Sequence, residues 1–383
     1  MRATEDILAQ VYKERNSSNS TQQSYNRAVK YFEEHTNKTI GELLTIADQE
    51  ETDNIHWKNS TLKPLLVSYR TYLYDKYSEK TADLYLTAII TIFRHFEIII
   101  GPLPYFSKTN INRSPQITPG SLPNREILKQ VIELKNPLLK AITLFMSSSG
   151  MSRIDTLNLR VIDYLRATKE FHNETNIYSA IVKMKECEID IIPCFEGLER
   201  QKTKQSYFTF CSHEAVEAIN NYLMSRTDEF NNYSPLFKIH ERYLSKVFKE
   251  VNDHLGLGNG GRYSRFAPHM LRRYHATQLA ESGMSIDKIN LLEGRKVQGV
   301  AHESYIRIKP EVLRKEYIQA LPFLVVEDMQ RVKTELDVAK EQLEKASREN
   351  IELKKQNERI ENLEKIILGD ISEEKLSKLH KLL

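Results

Sequence analysis

The spacing of apolar residues between positions 14 and 100 is that of amphipathic helices. Apolar residues recur three and four positions apart in three successive segments, with polar residues between them. They are Tyr25, Val29, Tyr31 and Phe32; Leu65, Leu66, Tyr69 and Leu73; and Leu84, Leu86, Ile89 and Phe93. This spacing gives each helix one apolar face. Residues 1–100 are therefore predicted to form a helical bundle.

Proline interrupts the helical pattern in the next segment. Five prolines stop helices between residues 101 and 123 and predict a linker: Pro102, Pro104, Pro115, Pro119 and Pro123. Helical patterns return at 124–134 and 138–149. A second domain is predicted to begin near Asn124.

Short segments rich in β-branched and aromatic residues follow these helices. They are Ile177 to Met184, Glu188 to Cys194 and Ser206 to Cys211, and each is predicted to be a strand. Helices resume after Ser212, a suitable N-cap, and continue to about Ala320. Residues 124–324 are therefore predicted to form a mainly α domain with a small antiparallel sheet, an α+β unit.

The last segment, residues 325–383, carries a seven-residue repeat. One position of the repeat holds Met329, Leu336, Leu343, Asn350 and Asn357, and the complementary position holds Val332, Ala339, Ala346, Leu353, Ile360 and Ile367. This pattern predicts a coiled coil that Gly369 ends, followed by a short amphipathic tail. Asparagines at core positions penalise other registers and are frequent in parallel dimers. Self-association is expected; a solvated or intramolecular helix is the alternative.

Charge and composition narrow the classes of function. The net charge is +3, and residues 1–324 hold 43 basic against 38 acidic residues. Between Arg200 and Arg273 there are 12 basic and seven acidic residues, a surplus that favours an anionic surface such as a phosphate backbone. The most apolar run, 88–100, is broken by an arginine, a histidine and a glutamate, so no membrane contact is expected. Three cysteines lack both zinc-site spacing and the density of a disulfide scaffold.

Four residues have the chemistry that a phosphodiester exchange needs. His269 and Arg272 stand one helical turn apart, so a helix would present a proton-transfer group and a phosphate donor on one face. Arg153 is a second donor, because a guanidinium can bind two phosphate oxygens at once. Tyr305 follows Arg272 by 33 residues and supplies a hydroxyl nucleophile.

The strings around these residues resemble the tyrosine recombinases, the phage-integrase-type site-specific recombinases. They are Ser-Ser-Gly-Met-Ser-Arg153, Pro-His269-Met-Leu-Arg272-Arg-Tyr-His, Leu-Leu-Glu-Gly-Arg295 and Ser-Tyr305-Ile-Arg. The resemblance covers residues 124–320 in detail. By position and pattern alone, the N-terminal helices are similar to the family's core-binding domain, and the coiled coil lies outside the resemblance.

The resemblance implies a role for each matched residue. Arg153 and Arg272 would bind the phosphate, His269 would transfer protons and Tyr305 would be the nucleophile, with Tyr317 the weaker alternative. The family also places a lysine in a β-hairpin between the two arginines. Lys202 matches best as the acid for the leaving 5′ oxygen, and Lys204, where the family usually has glycine, is the alternative.

Arg295 departs from the family pattern, because most members have histidine or tryptophan after the glycine. An arginine can still donate to the phosphate but cannot act as a neutral base, and some archaeal integrases are similar at this position. Lys296 and His302 are alternatives for this role.

The resemblance implies DNA strand exchange through a 3′-phosphotyrosyl intermediate, without a cofactor or metal. The implied partners are double-stranded DNA and further copies, as a tetramer on paired DNA sites, in the cytoplasm. The coiled coil would support that assembly or bind an accessory protein. Two other classes remain: a catalytically inactive DNA-binding or architectural protein with the same fold, and a coiled-coil scaffold whose body docks on DNA.

Overall fold

A computed structural model describes residues 2–109, 113, 115–295 and 309–369. These residues divide into two compact units, residues 1–116 and 117–383, and the boundary falls within the proline-rich segment. No helix in the described part of the chain is long and apolar enough to cross a bilayer.

The described residues of the first unit form five α-helices. They are α1 (Thr4–Glu14), α2 (Asn19–Thr36), α3 (Ile40–Thr52), α4 (Leu62–Lys76) and α5 (Glu79–His95), with a 3-10 turn at Trp57–Asn59. Phe32, Tyr69 and Phe93 meet at the centre of the bundle, where the Phe32 ring lies edge-on to both other rings. Thr39 begins α3 with a capping box, because its hydroxyl accepts from the Glu42 N–H while the Glu42 carboxylate accepts from the Thr39 N–H. The helical bundle predicted from the apolar spacing is confirmed.

The second unit is mostly helical, as predicted. Its helices are α6 (Arg125–Ile132), α7 (Pro137–Ser149), α8 (Arg153–Asn158), α9 (Val161–Ala167), α10 (Ile177–Lys185), α11 (His213–Ser225), α12 (Glu241–His254), α13 (Pro268–Glu281), α14 (Ile286–Leu292), α15 (Pro310–Leu324) and α16 (Asp328–Gly369). Two antiparallel sheets complete the described part: β1 (Cys194–Glu199) with β2 (Ser206–Phe210), and β3 (Asn259–Gly260) with β4 (Tyr263–Ser264).

Helix α7 is the centre of this unit. It is buried from Ala141 to Ser149, with α11 and α13 packed against it. Phe145 lies edge-on to Phe195 of β1 at 5.3 Å between ring centroids. A helix that is buried on all sides lies inside its domain. Its C-terminal end therefore has a fixed position in the core, and the chain that follows it carries Arg153.

The prediction of a strand at 177–184 was wrong, because this segment is α10. Asn176 caps the helix by accepting from the N–H groups of its first turn. Ile177, Ala180, Ile181 and Met184 are buried, a spacing of three and four that belongs to a helix and not to a strand. The strand predicted at 188–194 also shifts: β1 begins at its last residue and continues to Glu199. The strand at 206–210 is confirmed.

Candidate active site

A cavity of about 1250 Å³ in the second unit brings the basic residues of several elements together. Eight lysine and arginine residues line it against one acidic residue, Asp155. The basic residues are Arg153, Arg200, Lys202, Lys249, Arg262, Arg272, Arg273 and Arg295, and His269 also lines the wall. So strong an excess of one sign in a concave site favours an anionic ligand. Of the six residues predicted from the sequence, five lie in this cavity.

Arg272 is held rigidly at the cavity floor. It lies in the second turn of α13 and is 5% exposed. Its Nη1 donates to the Gly150 carbonyl at 2.7 Å, and its Nη2 donates to the Glu293 carbonyl. Two of its five N–H groups are thus used, and one N–H on each terminal nitrogen remains. Burial lowers the pKa of Arg272 to about 10, so the guanidinium is charged at neutral pH. This arrangement can present a fixed fork to a phosphate.

Gly150, which accepts from Arg272, occupies a position where no other residue fits without strain. It ends α7 with a left-handed backbone, φ +64°. A Cβ atom at Gly150 would lie 2.3 Å from Nδ1 of the buried His275. Glycine is therefore required both by the turn and by the close approach of α13.

Glu293 places a carboxylate beneath two of the arginines. It is fully buried, with Oε2 3.4 Å from Arg272 Nε and 2.5 Å from Arg295 Nε, and Oε1 3.1 Å from His275 Nδ1. Burial raises the pKa of this carboxyl, but the His275 hydrogen bond and the charges of Arg272 and Arg295 outweigh it, so the net pKa is lowered. Glu293 is therefore ionised at neutral pH and joins both guanidinium groups in one network.

Arg295 lies where that network meets the cavity. Its side chain is 40% exposed while its Nε faces Glu293. Gly294 before it has φ +60°, and a Cβ there would lie 2.8 Å from the Tyr207 ring. Arg295 thus lines the cavity, as predicted, and the buried Glu293 carboxylate orients its guanidinium. The sequence pattern did not indicate the pairing of Arg295 with Glu293.

His269 lies on the cavity wall at the start of α13. Pro268 occupies the first helical position, where its missing N–H is not needed. His269 Nε2 accepts from Arg273 Nε at 3.1 Å. Burial lowers the pKa of His269, and the nearby charges of Arg273, Arg272, Arg295 and Arg262 lower it further. A neutral imidazole results, whose acceptor nitrogen Nε2 can take a proton once Arg273 releases it.

Arg153 reaches the cavity from the first residue of α8, directly after the Ser152 cap. Its Nη1 donates to Ser245 Oγ at 2.6 Å, and its Nη2 pairs with the Glu241 carboxylate. Both partners lie on α12, and Glu241 is a half-exposed carboxylate at the rim. An anion that binds Arg153 therefore competes with Glu241 for the guanidinium.

The β1–β2 hairpin places the two candidate lysines differently. Its tip is fastened to α8, because the Gln201 N–H donates to Asp155 Oδ1 at 3.1 Å. Lys202 lines the cavity. Lys204 lies outside the cavity lining, has φ +56° and pairs with Glu199 at 3.1 Å. Its left-handed backbone is the conformation for which glycine is usual.

Arg200, at the base of the hairpin turn, connects the hairpin to the segment before Arg295. Its Nη1 donates to the Gly294 carbonyl at 3.0 Å. Arg200, Asp155, His275 and Glu293 were not predicted as site residues. No local sequence pattern identifies them, because each acts through a contact with a residue distant in the sequence.

Tyr305 lies outside the described residues, as do Lys296 and His302. The competing tyrosine, Tyr317, is fully buried in α15, and its hydroxyl donates to the Ser148 carbonyl at 2.8 Å. Tyr317 thus has a structural place in the core. Among described residues, Tyr263 is the tyrosine that lines the cavity.

Comparisons with known proteins show which families and structures this chain resembles. Residues 138–311 match the model of the phage integrase family. A solved structure of the Tn1549 transposon integrase in complex with a circular intermediate DNA is similar, with a TM-score of 0.52 and 13% identity over 82% of this chain and 99% of that chain. A second solved structure is that of the XerH site-specific recombinase bound to palindromic difH substrate. Its TM-score is 0.48 and its sequence identity is 14%, over 82% of this chain and 83% of that chain. The likeness to the Tn1549 integrase is one of fold. No curated protein matches the chain.

Proposed function

We propose that this protein is a tyrosine recombinase that cuts and rejoins DNA strands through a 3′-phosphotyrosyl intermediate, since residues 138–311 match the model of the phage integrase family. The observation that carries the proposal is one cavity that holds Arg153, Arg272, Arg295, His269 and Lys202. These residues come from four separate places in the sequence, since His269 and Arg272 share helix α13. A protein that only binds DNA needs positive charge but no neutral histidine beside two fixed guanidinium groups.

The proposed reaction divides the work among these side chains. The Tyr305 hydroxyl oxygen attacks the phosphorus, and its proton passes to neutral His269. The bond between phosphorus and the 5′ oxygen breaks, and Lys202 gives that oxygen a proton. Arg272 and Arg153 stabilise the charge on the nonbridging oxygens, with Arg295 as a third donor. A 5′-hydroxyl of a partner strand then reverses the step, so the number of phosphodiester bonds is conserved.

The proposed partner is duplex DNA, bound through its phosphates at the cavity face. Affinity should therefore fall steeply with salt. We further propose that four copies act on two paired sites, since a strand can be exchanged only with a strand cut by another copy. With this function, the protein would be found on the DNA of the cell.

An inactive DNA-binding or architectural protein is the alternative, and Arg295 in place of histidine or tryptophan is the observation that favours it. Covalent chemistry separates the two. Nicked duplexes with a randomised core are incubated with the protein, and DNA that stays attached after denaturation in SDS is recovered and sequenced. The enriched duplex is then used with single variants.

Tyr305→Phe should abolish the adduct. Tyr263→Phe is the matched control, because it removes a tyrosine hydroxyl from the same cavity, and it should leave the adduct unchanged. An adduct that survives Tyr305→Phe would refute the assigned nucleophile. Salt-sensitive DNA binding without any adduct would establish the inactive alternative.

A further inference from the structure

Helix α16 extends from the body of the second unit, residues 117–327, as a single long helix. Its 42 residues correspond to about 63 Å at 1.5 Å per residue. Every residue from Glu341 to Glu361 is exposed, including Leu343, Leu353 and Ile360. A lone helix gains most of its stability by packing an apolar face, and this stretch packs none against the described residues of the chain. The exposed apolar residues therefore mark an interaction surface.

The first turns of α16 are anchored to the rest of the second unit, the unit that holds the cavity and is called the catalytic unit below. Buried Glu214 of α11 accepts from the Val326 and Glu327 N–H groups at 3.0 Å, just before the helix begins. Lys140 pairs with Glu327 at 2.6 Å, and Lys333 pairs with Asp190 at 2.6 Å. The start of the helix thus has a fixed position on the unit that holds the cavity.

The anchored face is opposite to the heptad seam. We define the seam as Leu336, Leu343, Asn350 and Asn357 at the a positions and Ala339, Ala346, Leu353 and Ile360 at the d positions. Thr334, at an f position, is 4% exposed against the body, and Val338, at a c position, is half-buried. Leu336 and Leu343 are 53% and 73% exposed. Anchoring therefore uses one side of the helix and leaves the seam free.

We propose that the seam binds the seam of a second copy of this chain, as a parallel, in-register, two-stranded coiled coil. The asparagines select this partner and orientation. In a parallel pair each a position faces the same a position, so Asn350 meets Asn350 and Asn357 meets Asn357, and their amides can pair. In an antiparallel pair a faces d, and both asparagines would lie against apolar side chains such as Leu353 or Ile360.

The flanking charges favour the same orientation. In a parallel pair each g residue faces the e residue five positions later on the other helix. Glu335 then faces Lys340, and Glu349 faces Lys354, so both charged g residues meet a lysine. An antiparallel pair sets g against g and e against e, which brings glutamates together and lysines together. A second copy in parallel is thus the complementary occupant.

The parallel arrangement fixes where the catalytic units lie. Both helices begin at the same end of the coiled coil, and each beginning is anchored to its own catalytic unit through Glu214. Two cavities are therefore held near one another before DNA binds. Only this consequence rests on the proposed function; the coiled coil itself does not, and its test uses no DNA.

Light scattering and sedimentation equilibrium of the full-length protein test the seam. The wild type should be dimeric, and Leu353→Glu should raise the dimer dissociation constant by at least about a hundredfold, because it puts a charge into the seam of both helices. Ile351→Glu is the matched control: Ile351 is 53% exposed, Leu353 is 55% exposed, and Ile351 lies at a b position outside the seam. The control should stay dimeric. A monomeric wild type, or equal effects of both variants, would overturn the proposal.

Two further measurements test the orientation. Leu336→Cys and Asn357→Cys, made separately, should each give a disulfide-linked dimer on mild oxidation, because each cysteine faces its own copy. An antiparallel pair can link at most one of them. Lys354→Glu should weaken the dimer by about fourfold, and adding Glu349→Lys should restore it. Restoration failing, or only one cysteine variant cross-linking, would exclude the parallel register.

Discussion

Replacing Glu293 by glutamine tests whether one buried carboxylate organises the phosphate-binding arginines. The substitution keeps the shape and one acceptor oxygen but removes the charge that contacts Arg272, Arg295 and His275. Removing one member of a buried ion pair costs about 3–5 kcal/mol. The Arg295 side chain is 40% exposed, so water screens its attraction to Glu293, and the loss of that pair adds little to the cost. Since glutamine keeps one hydrogen-bond acceptor, we expect the lower end, about 3 kcal/mol.

Thermal unfolding measures this cost. At about 2–4 °C per kcal/mol for a unit of this size, Glu293→Gln should lower Tm by about 6–12 °C at pH 7. Because the folded state lowers the pKa of Glu293, its stabilising contribution is present above the ordinary value of 4.5 and is lost as pH falls below it. The difference between wild type and variant should therefore shrink at pH 4.

DNA binding and cleavage should separate in this variant. The cavity loses a nearby negative charge, so affinity for DNA should hold or rise, whereas cleavage should fall by about 10- to 100-fold because Arg272 loses a positioning contact. Glu199→Gln, which removes an exposed carboxylate from the hairpin, is the control and should leave both unchanged. An unchanged Tm, or binding that falls together with cleavage, would refute the positioning role.

Three further predictions follow from the site. Lys202→Ala should slow cleavage by about 100-fold or more while Lys204→Ala stays near wild type, measured by single-turnover cleavage; equal effects would contradict the assignment. Because burial and neighbouring charges lower the pKa of His269, kcat/KM should stay level as pH falls to about 6.5 and decline only below it, and a decline that begins above pH 7 would speak against a neutral histidine. Gly150→Ala should lower the free energy of unfolding by about 2–5 kcal/mol, measured in denaturant. Gly256→Ala has the same backbone strain but open space around it, so it should cost only about 1–2 kcal/mol. Similar losses in the two variants would show that the close approach of α13 to Gly150 adds nothing to the cost.

Local spacing predicted part of this cavity lining. Pro268, His269 and Arg272 lie on one helix as their spacing indicates, whereas the hairpin that carries Lys202 was predicted from the family resemblance. Local patterns failed where two signals competed. At Ile177 to Lys185 the β-branched content favoured a strand, but the three- and four-residue spacing and the Asn176 cap favoured a helix, and burial of that face decided the outcome.

The network beneath the arginines depends on contacts that no local pattern contains. Glu293 meets His275 across 18 residues and Arg272 across 21, and Gly150 accepts from Arg272 across 122. Such contacts arise when α7 packs against α13, and local sequence patterns do not predict which helices pack together. The left-handed backbone of Lys204 is likewise a property of the folded turn.

Identifying the amino acid attached to DNA tests the central claim most directly. Trypsin cleaves after Lys296 and Arg307, and the peptide between them contains Tyr305 as its only tyrosine. The adduct recovered from the enriched nicked duplex is digested with nuclease and trypsin and sequenced by mass spectrometry. We predict a nucleotide bound through its 3′ phosphate to Tyr305 in that peptide. A nucleotide on any other residue, or a 5′ linkage, would contradict the account.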